Sequence, residues 1–170
     1  EFNEKLDIEL ISGYTKIIFS NYKLNEKLFE YYLNEKLFEY YLNDNNSEYY
    51  VGTFNQDISV LPHGLTHLTF GDCFNQNVSN LPSTLIHLTF GYGFDKDVSN
   101  LPSTLTNLTF GNNFNQMVSV LPHSIIYLTF GDDFNQDVSE LPPFLTHLIF
   151  GSGFNKDVMT LPQTLTYLVF

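Results

Sequence analysis

The chain has 170 residues, 43% of them hydrophobic, and a net charge of −12 from 19 acidic residues against seven lysines and no arginine. That size and composition suit one packed domain with a buried core and exclude compositional disorder. The charge leaves no basic face for nucleic acid and disfavours anionic membranes, and no apolar run approaches the roughly 20 residues of a membrane-spanning helix.

Basic proteins or cations are the electrostatic partners that remain, unless the charge serves solubility alone. One cysteine, Cys73, excludes a disulfide scaffold and fits a reducing compartment. No signal peptide opens the sequence, which starts at Glu1.

Residues 1–50 come first in the chain and are the least regular. Phe2 to Leu6 (FNEKL) resembles an FNQDV motif that recurs later, and Tyr14 to Phe19 (YTKIIF) resembles a later LTxLxF, so a degenerate repeat is expected here. Leu24 to Tyr32 and Leu33 to Tyr41 then both read LNEKLFEYY. Their composition favours helix and predicts a helical insert. One unit is about 2.5 helical turns, so a second copy turns its pattern to the opposite face. A single helix over 24–43 would be apolar all round. Three outcomes stay open: two shorter pieces, a segment that meets a partner, or a duplication tolerated as a loop insertion.

Residues 51–170 are six tandem repeats of 20 residues. Phe recurs at 54, 74, 94, 114, 134 and 154, Leu-Pro from 61–62 to 161–162, Leu from 68 to 168 and Phe from 70 to 170. Each repeat holds one short strand candidate, Leu85 to Phe90 in the second, bounded by Pro82 and Gly91. Six columns (Phe, Val or Ile, Leu, Leu, Leu, Phe) are expected inward. One repeat cannot bury them, whereas a stack can. The predicted fold is a leucine-rich-repeat-like parallel β solenoid with one short strand per 20-residue coil. Six coils at about 4.8 Å make a stack about 30 Å long.

An Asn column follows the inward Phe: Asn55, Asn75, Asn115, Asn135 and Asn155, with Asp95 as the exception. Such a column is expected to tie neighbouring coils through their backbones. Ionised Asp95 accepts but does not donate, so the third coil is expected to be the weak link.

These motifs resemble the FNIP repeats, a leucine-rich-repeat subfamily of social amoebae and giant amoeba-infecting viruses. The resemblance rests on F-N-Q-D and L-P-x-x-L-T-x-L-T-F-G in that order. It is strong over 51–170 and weak over 1–50. Family repeats are commonly about 22 residues, longer than the coils here, which also resemble bacterial L-P-x-x-L-x-x-L repeats. Membership implies protein–protein contacts. Viral members often carry an F-box, which implies a ubiquitin-ligase substrate adaptor. No F-box-like segment occurs in this sequence, so that role requires one elsewhere in the gene product.

The candidate partner-binding surface is the outward strand strip, the concave face of a horseshoe. One column reads His67, His87, Asn107, Tyr127, His147, Tyr167; the other reads Thr69, Thr89, Thr109, Thr129, Ile149, Val169. Uncharged and tyrosine-bearing, it suits a protein partner. His67 and His87 lack the further ligands zinc needs. The column Asp57, Asp97, Asp137, Asp157 is broken by Asn77 and Met117 and falls short of a calcium shell. Thr66 and Thr69 are expected on opposite faces, which argues against an ice-binding Thr array.

No catalytic residue, metal or cofactor is expected. Cys73 recurs in no other repeat, and neither a phosphate loop nor a paired carboxylate appears. Two functions follow. The first is an interaction module in the cytoplasm, the host's if the protein is viral. The second is a structural solenoid, virion-associated or fibrous, that self-associates through uncapped ends, since the sequence stops at Phe170 inside a strand.

Overall fold

The computed structural model describes the backbone of residues 16–18, positions 55, 58 and 61, and the stretch 64–170. Seven three-residue strands form one parallel sheet in chain order. They are β1 (Lys16–Ile18), β2 (His67–Thr69), β3 (His87–Thr89), β4 (Asn107–Thr109), β5 (Tyr127–Thr129), β6 (His147–Ile149) and β7 (Tyr167–Val169). From β2 onward the register never slips: His67 lies opposite His87, Leu68 opposite Leu88, and so on to Leu148 opposite Leu168. The result is a parallel β solenoid with one strand per coil. β1 aligns Lys16, Ile17 and Ile18 with His67, Leu68 and Thr69. The duplicated LNEKLFEYY, with the helix expected over 24–43, lies outside the described residues.

Local sequence bends each coil closed. In the fourth, which runs from Phe114, Phe114 N donates to Gly111 O at 3.4 Å, Leu121 N to Val118 O at 3.3 Å and Ile125 N to Pro122 O at 3.2 Å. These are β-turns, and they fall where the sequence places Gly, Ser and Pro. Pro122 opens its turn through its carbonyl, the backbone hydrogen-bonding group that proline keeps.

The six inward columns form one core. Phe114, Val118, Leu121, Ile125, Leu128 and Phe130 of the fourth coil are all buried, as are their counterparts in neighbouring coils. The phenylalanines make two ladders of stacked rings. Phe110 and Phe114 sit 3.7 Å apart across the Gly111 turn, while Phe110–Phe130 and Phe114–Phe134 are 5.6 and 6.1 Å apart between coils. Each buried Phe or Leu contributes about 1.5–3 kcal/mol by area. Most of that area is covered by the coil above and the coil below, so stability belongs to the stack. Among the described residues no buried side-chain polar atom lacks a hydrogen bond. On the final coil, Leu168 and Phe170 are exposed and Phe154, Leu161 and Leu165 half-buried.

Candidate interaction surface

The strand face places its planar side chains in a row. The His67 and His87 rings stack at 4.2 Å with 11° between planes. Tyr127 and His147 lie 4.5 Å apart and tilted, and His147 and Tyr167 5.5 Å apart. Beside them Thr69, Thr89, Thr109, Thr129, Ile149 and Val169 are half-buried. The row exists because in-register parallel pairing repeats each outward side chain one strand spacing further on.

A threonine just before the strand fixes three members of the row. Thr66 Oγ1 lies 2.9 Å from His67 Nδ1, Thr146 Oγ1 2.8 Å from His147 Nδ1, and Thr106 Oγ1 donates to Asn107 Oδ1 at 2.7 Å. This corrects the expectation that Thr66 and Thr69 point to opposite faces: both lie outside the core. Strict alternation fails because the strand begins only at His67. Just before it, Ile86 N and His87 N both donate to Thr66 O, at 2.8 and 3.0 Å. Two amides share one carbonyl where the chain bends into the strand, and Leu65 and Leu68 both turn inward.

The stacked histidines are poorly set for a shared metal. Zinc bound in the plane of one ring, at about 2 Å from its nitrogen, lies outside the plane of the parallel ring. Among the described residues no group of three or more His, Cys, Asp or Glu is placed to hold an ion.

The Asn column joins coils directly. Asn75 N donates to Asn55 Oδ1 at 2.8 Å, Asn135 N to Asn115 Oδ1 at 2.9 Å, and Asn155 N to Asn135 Oδ1 at 2.9 Å. Asp95 is no weak link. Its Oδ1 accepts from Asn115 N at 3.0 Å and from Gln116 Nε2 at 2.8 Å, as Asn55 Oδ1 does from Asn75 N and Gln76 Nε2. The ladder uses the side chain as an acceptor, and a carboxylate accepts as well as an amide does.

The acidic column acts within its own turns. Asp97 accepts from Ser99 N at 3.1 Å and Ser99 Oγ at 2.7 Å, and Asp137 from Ser139 N at 2.9 Å and Ser139 Oγ at 2.8 Å. Asn77 substitutes through Ser79 N at 2.7 Å, and Asp157 accepts from Met159 N at 2.8 Å. The Ser99 hydroxyl, then its amide, lowers the Asp97 pKa, and the Ser139 amide, then its hydroxyl, lowers that of Asp137. Asp132, on the next turn, is lowered by the amide and hydroxyl of Ser152.

A hydroxyl column went unnoticed in the sequence. Thr84 Oγ1 donates to Leu65 O at 2.7 Å, Thr104 to Leu85 O at 2.6 Å and Thr164 to Leu145 O at 2.7 Å, and Ser124 bonds Leu105 O in the same way. The recurring Ser or Thr two residues after Leu-Pro was its signal.

The model of the FNIP repeat matches residues 54–93, 97–133 and 134–170, well over half of the chain. The chain belongs to the FNIP repeat family. Among curated proteins none matches. The crystal structure of CroV588, a giant-virus protein described as a novel circular LRR protein, is similar to the FNIP stack. It is 52% identical with a TM-score of 0.64, over 68% of this chain and 19% of CroV588. The chain thus spans less than a fifth of that protein. The FNIP Phe-Asn pair divides its work here: Phe114 enters the core while Asn115 holds the next coil.

Proposed function

We propose that the FNIP stack is a non-enzymatic protein-interaction module that takes its partner on the strand face, the concave side of an LRR-like solenoid. The observation behind this is the face itself. From His67 to Tyr167 and Thr69 to Val169 it carries no Lys, Arg, Asp or Glu, and its planar side chains stand in a row in which Thr66, Thr106 and Thr146 hold His67, Asn107 and His147. Preorganised aromatic and polar groups bind protein surfaces at low entropic cost. The setting proposed is a cytoplasm, the host's if the protein is viral, with virion association as the alternative.

The test is affinity capture from amoeba lysate with the full gene product. A parallel sample carries the outward His and Tyr residues changed to Ser. A protein recovered only by the unmodified bait supports the reading, and Tyr127→Ala with Tyr167→Ala should weaken that partner about tenfold or more, as loss of central aromatic anchors does. Unchanged binding would reject the strand face. Ubiquitin-ligase subunits among the captured proteins would support the adaptor role.

A second reading is a self-assembling structural solenoid, in which one stack pairs edge to edge with another. Sedimentation is measured on the full gene product. Growth of oligomers with concentration supports assembly; a monomer at every concentration rejects it.

A further inference from the structure

Four large apolar side chains interrupt an otherwise polar turn edge. Met117, Val120, Phe144 and Met159 are 76%, 56%, 65% and 88% exposed. They fall in three consecutive coils, the fourth to the sixth, and outside the strand columns. In the second and third coils the same four positions hold only Asn, Asp, Ser or Thr. Val120 and Phe144 stand on successive β-turns of the coil path, one after Val118 and one after Pro142.

Fold stability does not account for these residues, because three of them remove a hydrogen bond that sister coils make. Met117 stands where Asp97 and Asp137 accept from the residue two positions on. Phe144 stands where Thr84, Thr104, Ser124 and Thr164 donate to a carbonyl of the preceding coil. Met159 stands where the Ser99 and Ser139 hydroxyls donate to the turn carboxylate. Each exchange also leaves apolar area in water, a pattern that marks interaction surfaces.

The surroundings are acidic. Asp137 and Glu140 of the middle coil are exposed one coil on from Met117 and Val120, and Lys156 lies near enough to act on Asp137. We propose that this turn edge is a second docking surface, for a protein segment presenting two or more apolar side chains flanked by Lys or Arg. Burying the apolar groups would supply affinity, while the carboxylates would select basic flanks and reject acidic ones.

The test is a selection from a random peptide display library on the chain. It is counter-selected on a variant carrying Met117→Asp, Val120→Asn, Phe144→Thr and Met159→Ser. These changes install what sister coils already hold, so the variant is expected to melt no lower than the parent. Peptides with apolar residues beside Lys or Arg are expected to enrich and to bind the parent at least tenfold more tightly than the variant. Asp137→Asn with Glu140→Gln should weaken them severalfold, and Tyr127→Ala with Tyr167→Ala should leave them unchanged. Failure to enrich, enrichment of peptides without basic residues, or equal binding to parent and variant would each overturn the proposal.

Discussion

At Gly111 a methyl group would sit inside van der Waals contact with the carbonyl group of Gly91, one coil below. The clash is with backbone, which cannot swing aside, so Gly111→Ala should destabilise the stack by about 2 kcal/mol or more, measured by urea unfolding. Phe114 is fully buried among the rings of Phe94, Phe110, Phe130 and Phe134, and Phe114→Ala should remove about 3–5 kcal/mol. Asp97, Asp132 and Asp137 contribute to the acid limb. Their folded pKa values are lowered, so the stability they add is complete above the ordinary carboxylate pKa, near pH 4, and is lost as pH falls through the lower folded values. Changing all three to Asn should keep the amide bonds, as Asn77 does, and flatten the fall in thermal midpoint below about pH 4.

The element that joins coils is the side-chain acceptor ladder. Asn115→Ala removes the acceptor for Asn135 N and Gln136 Nε2 and should destabilise by about 1 kcal/mol. Asn115→Asp should stay close to the parent at neutral pH, since Asp95 already serves this way. Equal losses in both variants would show that donation by the amide matters after all. The columns themselves were legible because a 20-residue period exposes them directly, and the six inward positions follow from apolarity alone. The bend at Thr66 was not legible, because side-chain alternation says nothing of two amides sharing a carbonyl. The hydroxyl bonds of Thr84 and Thr104 were hidden for a similar reason. Thr is common on exposed turns, and only coil spacing shows that its oxygen reaches the backbone one coil back. The strand-face residues were legible as a row, while the hold of Thr66, Thr106 and Thr146 on His67, Asn107 and His147 needed coordinates.

At the scale of the whole molecule, pairing from β2 onward joins only adjacent coils, always at the same offset. Stability should therefore behave as a sum of coils and the interfaces between neighbours. Removing residues 94–113, one complete coil, rejoins equivalent positions and should leave a folded stack with a modestly lower unfolding midpoint by circular dichroism. Removing half of that coil should instead abolish cooperative unfolding, since every partner on one side would fall out of register. A folded half-coil deletion would contradict the nearest-neighbour picture.

The bonds between coils run both ways. Asn75 N reaches back to Asn55, Gly93 N to Asp72 O and Thr106 N to Ile86 O, while Phe70 N, Phe90 N and Phe110 N reach forward to Thr89 O, Thr109 O and Thr129 O, so each coil both gives hydrogens to its neighbour and takes them from it. A coil leaving the ribosome would fill the strand amide that the previous coil holds open and would present its own to the next. Synthesis and folding would then advance in the same sense, like a zip drawn from one end.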